Sequence, residues 1–126
     1  MDDGMTPGER FARVRAICLA LPEATERETW GQATFRVREK IFAMGHDGET
    51  TAVTCKARPG VQEMLVSADP ERFYVPPYTG HNGWIGVRLT VPVDWDELED
   101  LITESYRMTA PKRLSALIEL PQATAE

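Results

Sequence analysis

Cysteine is scarce in this sequence: two of 126 residues, Cys18 and Cys55, and neither sits in a CxxC. Two such thiols cannot build the disulfide framework of a small secreted domain. Both are read as small buried residues, Cys18 in the apolar run Ala16–Ala20 and Cys55 in Val53-Thr54-Cys55-Lys56. Cys55 carries the one reservation, because Lys56 and Arg58 would lower its pKa if it were exposed. Long apolar runs are absent too. No stretch approaches the roughly 18 residues that span a bilayer, and the acidic start Met1-Asp2-Asp3-Gly4 has no signal-peptide pattern. These absences predict a cytoplasmic location, reduced thiols and no membrane partner. Histidine is limited to His46 and His81, in different loops, which is too little for a structural zinc site with four ligands at tight spacing. The sequence has no GxxxxGK[ST], no GxGxxG after a strand, no HExxH and no GxSxG. No catalytic residue, metal or cofactor is therefore assigned.

Positive charge is also in deficit. Lys and Arg number 14 against 20 Asp and Glu, a net charge of −6, which excludes a uniformly basic nucleic-acid coat. The total hides a segregation. Residues 94–104 hold six acids and no base: Asp94, Asp96, Glu97, Glu99, Asp100 and Glu104. Residues 27–58 hold six bases against four acids: Arg27, Arg36, Arg38, Lys40, Lys56 and Arg58. The acidic stretch reads as a solvated helix face with favourable charge near its N-terminus. The basic one reads either as the solvent side of a half-buried sheet or as a phosphate-contacting surface.

The pattern of apolar residues supplies the elements. Thr6-Pro7 with Glu9 has the form of a capping box, and Phe11, Val14, Ile17, Cys18 and Leu21 recur at helical spacing up to Pro22. Residues 22–29 are polar and read as a loop or an irregular first strand. Residues 33–38 alternate, placing Phe35 and Val37 on one face and Arg36 and Arg38 on the other. Residues 41–44 return as a hairpin, Gly45-His46-Asp47-Gly48 reads as a turn, and residues 51–56 as a third strand. A short helix with Val61, Met64, Leu65 and Ala68, strands at 72–75 and 84–89, and two helices beginning near Asp94 and Pro111 complete the reading. The expected fold is one α+β domain over residues 1–126, frayed at 1–5 and 121–126. It is a two-layer domain in which an antiparallel sheet packs its helices on one face, in the order α-β-β-β-α-β-β-α-α. A doubly wound parallel sheet is excluded because residues 33–56 have no room for helical crossovers.

One loop is dense in functional side chains: Tyr78-Thr79-Gly80-His81-Asn82-Gly83-Trp84. Its aromatics and histidine suit either the core or a groove that stacks on a planar group.

Several segments, in order, resemble the MmcQ/YjbR-like family. They are Leu21-Pro22-Glu23-Ala24-Thr25-Glu26, Trp30-Gly31, Phe35-Arg36-Val37, Lys40-Ile41-Phe42-Ala43, Val53-Thr54-Cys55-Lys56, Tyr78 through Trp84, and Glu104-Ser105-Tyr106 ahead of Ala110-Pro111-Lys112. In the turn before Lys40 this chain has Arg38-Glu39 where the family often has glycines. The resemblance implies a frataxin-like (CyaY-like) α+β domain and no particular reaction. It implies DNA binding by similarity of fold to the C-terminal DNA-binding domain of the phage transcription factor MotA, which is analogy at the level of fold. Two expectations follow. The first is a DNA-binding module contacting phosphates with Arg36, Arg38, Lys40, Lys56 and Arg58. The second is a module for a small anionic ligand or a protein, using Trp30, Tyr78, His81 and Trp84 around a pocket near Trp30 and Lys56. A frataxin-like iron role is disfavoured, because the acids lie in the last third of the chain and not in the first helix.

Overall fold

The computed structural model describes residues 4–48 and 50–125, with side chains as far as Ile118. Of the ends expected to fray, 1–5 and 121–126, residues 1–3 and 126 lie outside the described residues, and 121–125 continue helix α4. The capping box forms. Thr6 Oγ1 accepts from the Glu9 amide at 3.1 Å, and Glu9 Oε1 accepts from the Thr6 amide at 2.8 Å. Helix α1 then runs Pro7–Leu19 and buries Phe11, Val14 and Cys18.

Six strands follow: β1 (Thr25–Thr29), β2 (Gln32–Val37), β3 (Lys40–His46), β4 (Ala52–Lys56), β5 (Phe73–Tyr74) and β6 (Trp84–Arg88). Helix α2 (Val61–Ala68) separates β4 from β5, and α3 (Trp95–Thr109) and α4 (Lys112–Ala125) follow β6. The strands form one antiparallel sheet in the order β1-β2-β3-β4-β6-β5. The expected fold class holds, with one strand more than the expected order. That strand is β1, Thr-Glu-Arg-Glu-Thr, an edge strand largely exposed along its length, so it shows no apolar alternation. A second departure concerns Gly45, read as part of a turn but lying buried within β3. A Cβ there would meet Phe11 Cε1 at 2.9 Å and Ala52 O nearer still, so glycine is what lets α1 and β4 close on β3.

Both first hairpins turn in two residues with positive φ throughout, the pattern of a type I′ turn: Trp30 (52°) with Gly31 (77°), and Arg38 (51°) with Glu39 (68°). The second does so without glycine, at a cost of about 1 kcal/mol or more for each left-handed residue.

The sheet has two unlike faces. Cross-strand partners Phe35, Ala43, Cys55 and Ile85 form one row, with Val53 and Val87 beside it and Phe73 paired to Val87. All are buried, and α1 and α3 pack on this side. Between β2 and β3 the pairing steps from Phe35↔Ala43 to Arg36↔Ile41, leaving Phe42 as the extra residue of a bulge. The bulge turns the Phe42 ring into the core, where it meets Tyr106 of α3 edge-on at 5.4 Å between ring centres. Ser105 pins α3 to the sheet: its hydroxyl donates to Phe42 O at 2.5 Å and accepts from the Lys56 amide at 2.9 Å. Tyr106 OH donates to Pro22 O at 2.6 Å, and Arg10 Nη1 donates to Leu89 O at 2.9 Å.

Candidate functional site

The side chains opposite the core row define the other face. Cross-strand pairs put Thr25, Arg27 and Thr29 of β1 level with Arg36, Thr34 and Gln32 of β2. The face continues through Ile41, Met44 and His46, then Ala52, Thr54 and Lys56, then Trp84, Gly86 and Arg88, and ends at Tyr74. Four of these positions are basic: Arg27, Arg36, Lys56 and Arg88. None is Asp or Glu. The two strand carboxylates, Glu26 and Glu28, sit opposite Phe35 and Ala33, on the helix-bearing side. From β1 to β6 these bases span four inter-strand spacings, about 19 Å at ~4.8 Å each, with Arg88 at the opposite end of the strands from Lys56.

The cations of this face keep their charge available. Arg36 donates through Nε to Thr34 Oγ1 and through Nη2 to Thr29 Oγ1, both at 3.1 Å, which orients the guanidinium without neutralising it. Arg88 lies over the Tyr74 ring, 4.7 Å from its centre. Neither of these two, nor Lys56, pairs with a carboxylate among the described residues. Arg27 meets Glu39 at 3.1 Å in an exposed pair, which holds it weakly.

The five sequence-predicted phosphate contacts do not stay together. Arg36 and Lys56 share the open face. Arg38 lies in the β2–β3 turn and grips Glu23 through two hydrogen bonds, at 2.7 and 3.3 Å. Lys40 stands opposite Val37, in register with the helix-bearing side. Arg58 lies beyond β4 and pairs with Glu104 of α3 at 2.6 Å. Arg27 and Arg88 take their places on the face. The sequence signal for Arg88 is the alternation Trp84-x-Gly86-x-Arg88, which lies outside the basic segment 27–58.

The predicted ligand-binding group divides as well. Trp30 tips the β1–β2 turn, 94% exposed, at the sheet end shared with His46 and Arg88. Tyr78 is 90% exposed, and it, His81 and Trp84 belong to the other end, beside Lys56. The two ends are about 17 Å apart along β2, five residues at ~3.4 Å, so no single pocket joins Trp30 to Lys56. His81 is exposed in a short 3₁₀ turn, Gly80–Asn82, and only Trp84 of that loop reaches the open face.

Cys55 is not a reactive thiol: burial pushes its pKa up to about 12, and burial raises that of Cys18 as well. Among the described residues no group of three or more His, Cys, Asp and Glu converges to hold a metal. The acidic helix α3 lies on the side away from the basic face. Asp94 caps it, Glu97 pairs with Arg72 at 2.9 Å, and Glu104 pairs with Arg58 and Arg107. No helix among the described residues is long and apolar enough to cross a membrane.

A family model, YjbR, matches residues 19–108. The chain belongs to the YjbR family. The matched YjbR segment runs from the end of α1 to the end of α3 and so contains the whole sheet. Among solved structures, a Deinococcus radiodurans protein with a DUF419 domain is similar, with a TM-score of 0.71 and 21% identity over 78% of this chain and 76% of that one. A Pseudomonas syringae protein is similar at a TM-score of 0.56 and 21% identity, over 77% of this chain and 97% of its own. At that identity both speak for the fold. No curated protein matches.

Proposed function

We propose that this YjbR-family protein binds nucleic acid, with the open face of its sheet against the phosphate backbone. One observation carries the reading: the open-face strand positions hold Arg27, Arg36, Lys56 and Arg88 and no carboxylate, in a chain whose net charge is −6. The arrangement separates the signs, with the acids of α3 on the opposite side of the sheet from these bases. A spread of bases about 19 Å across the strands is broad enough for cations to reach phosphates on both borders of a duplex groove about 12 Å wide. Such contacts position a protein on DNA and carry little sequence information of their own.

Paired substitutions test the face itself. Duplex DNA binding is followed by fluorescence anisotropy at low salt. Lys56→Gln and Arg88→Gln are expected to weaken it, while Arg38→Gln, Lys40→Gln and Arg58→Gln, which remove the same charge elsewhere, are expected to change it much less. Equal losses from both sets would mean that net charge alone matters, and the proposal would fail.

A further inference from the structure

The open face is not flat at the end near His46. There a cleft of about 250 Å³ opens among His46, Thr50, Ala52, Tyr74, Arg88 and Thr90. Its floor depends on Gly86. With no side chain at that position, the Tyr74 ring lies directly on β6; a Cβ would come within 2.6 Å of Cε2 and closer still to Cζ and Cε1. The ring in turn carries the Arg88 guanidinium, 4.7 Å above its centre. Stacking engages the flat face of a guanidinium and leaves its edge N–H groups directed outward in the plane. Around it stand further donors: the Thr90 hydroxyl, which has no hydrogen bond among the described residues, and Thr50 Oγ1, 3.1 Å from His46 Nε2. The hydroxyl of neighbouring Thr51 is spent internally, on Asp47 Oδ1 and Gly48 O. Among the described residues no carboxylate lines the cleft.

We infer that this cleft is a subsite for a single phosphate group, held by the Arg88 edge with the hydroxyls of Thr90 and Thr50 and the His46 ring around it. The inference rests on the reading of the open face as a phosphate-binding surface and makes it specific, since a cleft fixes one phosphate where a flat face holds several loosely. Its size is just below the usual range for small-molecule pockets, about 300–1,000 Å³, and suits a phosphate with little attached. Arg matches a phosphate through parallel N–H donors, and a guanidinium pre-oriented by an aromatic ring loses less freedom on binding. The phosphate could come from a nucleic-acid strand or from a free phosphorylated molecule, and the chemistry at the cleft is the same.

Isotope-edited NMR separates the sources. The ¹⁵N-labelled protein is titrated with inorganic phosphate at ionic strength held constant with chloride, and separately with a short DNA duplex. Phosphate is expected to shift the amides of His46, Thr50, Arg88 and Thr90 saturably. Arg88→Gln, at an exposed position, is expected to weaken that binding by about tenfold or more, as the loss of a charged hydrogen bond implies, and Thr90→Val by less. DNA is expected to move the same amides. Phosphate shifts no larger than those of chloride would overturn the subsite. DNA binding that leaves these four amides still would overturn a nucleic-acid strand as the source of the phosphate, while the open-face reading would survive. Saturable phosphate binding at the cleft with no DNA binding would uphold the subsite for a free phosphorylated molecule and overturn the nucleic-acid reading.

Discussion

Gly86→Ala is the sharpest perturbation of the basic face, because a single methyl group collides with the residue that supports Arg88. In β6 the Tyr74 ring occupies the space a Cβ needs, with three ring carbons inside 2.7 Å. Such contacts are not relieved by small shifts, so the ring must swing away or β5 must move. Overpacking of this kind costs about 1–3 kcal/mol. Glycine within a strand otherwise costs about 0.5–1 kcal/mol relative to alanine, so the steric effect opposes a small intrinsic gain. The two separate in a double-mutant cycle. In a Tyr74→Ala background the ring is gone, and Gly86→Ala is expected to be neutral or mildly stabilising. The coupling between the sites is then about 2 kcal/mol, near the upper part of the range for residues in contact. Urea denaturation followed by tryptophan fluorescence measures all four corners of the cycle. A Gly86→Ala cost that is absent, or equal in both backgrounds, would refute the packing of Tyr74 on β6 and with it the floor of the cleft.

Three further outcomes follow from the packing and the charges. Ser105→Ala leaves the Lys56 amide and the Phe42 carbonyl without their buried partner, so urea unfolding is expected to show a loss of about 2 kcal/mol. Burial pushes the Glu104 carboxyl up, but hydrogen bonds from Arg58 and Arg107 outweigh it and hold the group below the usual carboxylate range. A depressed carboxyl stabilises the fold above its unfolded pKa and loses that contribution as pH falls through the folded value. Glu104→Gln is therefore expected to lower the urea midpoint at neutral pH and to flatten its decline below about pH 4. Finally, a thiol reagent at mildly alkaline pH is expected to label neither Cys18 nor Cys55 in the native protein and both after denaturation. Rapid native labelling of Cys55 would contradict its burial.

Local chemistry explains why some elements were readable in the sequence. The Thr6–Glu9 capping box acts within one helical turn and forms as read, and Asp94, near which a helix was expected to begin, caps α3. Strands β2 and β4 have one face in the core, so Phe35 with Val37 and Val53 with Cys55 declare them. Strand β1 has no such face. It is held by backbone pairing to β2 and by polar contacts such as Arg15 with Glu26 and Arg36 with Thr29, which leave no apolar period. The Phe42 bulge breaks the period of β3, because its one extra residue shows only in the register with β2. The candidate site was legible to the same extent. Alternation placed Arg36 and Lys56 correctly relative to the core. Arg58 left the set through its pairing with Glu104, 46 residues away, which no local pattern encodes. Arg38 left it through the turn, where left-handed backbone replaces strand alternation. The separation of Trp30 from Tyr78, His81 and Trp84 follows from the register of the whole sheet.

The salt dependence of duplex DNA binding tests the central claim most directly. Four phosphate contacts from Arg27, Arg36, Lys56 and Arg88 give an expected slope of log K against log salt of about −3 to −4. The Lys56→Gln/Arg88→Gln double variant is expected to reduce the magnitude of that slope by about 2. No binding even at about 20 mM salt, or a slope unchanged in the double variant, would contradict the assignment of the open face as a phosphate-binding surface.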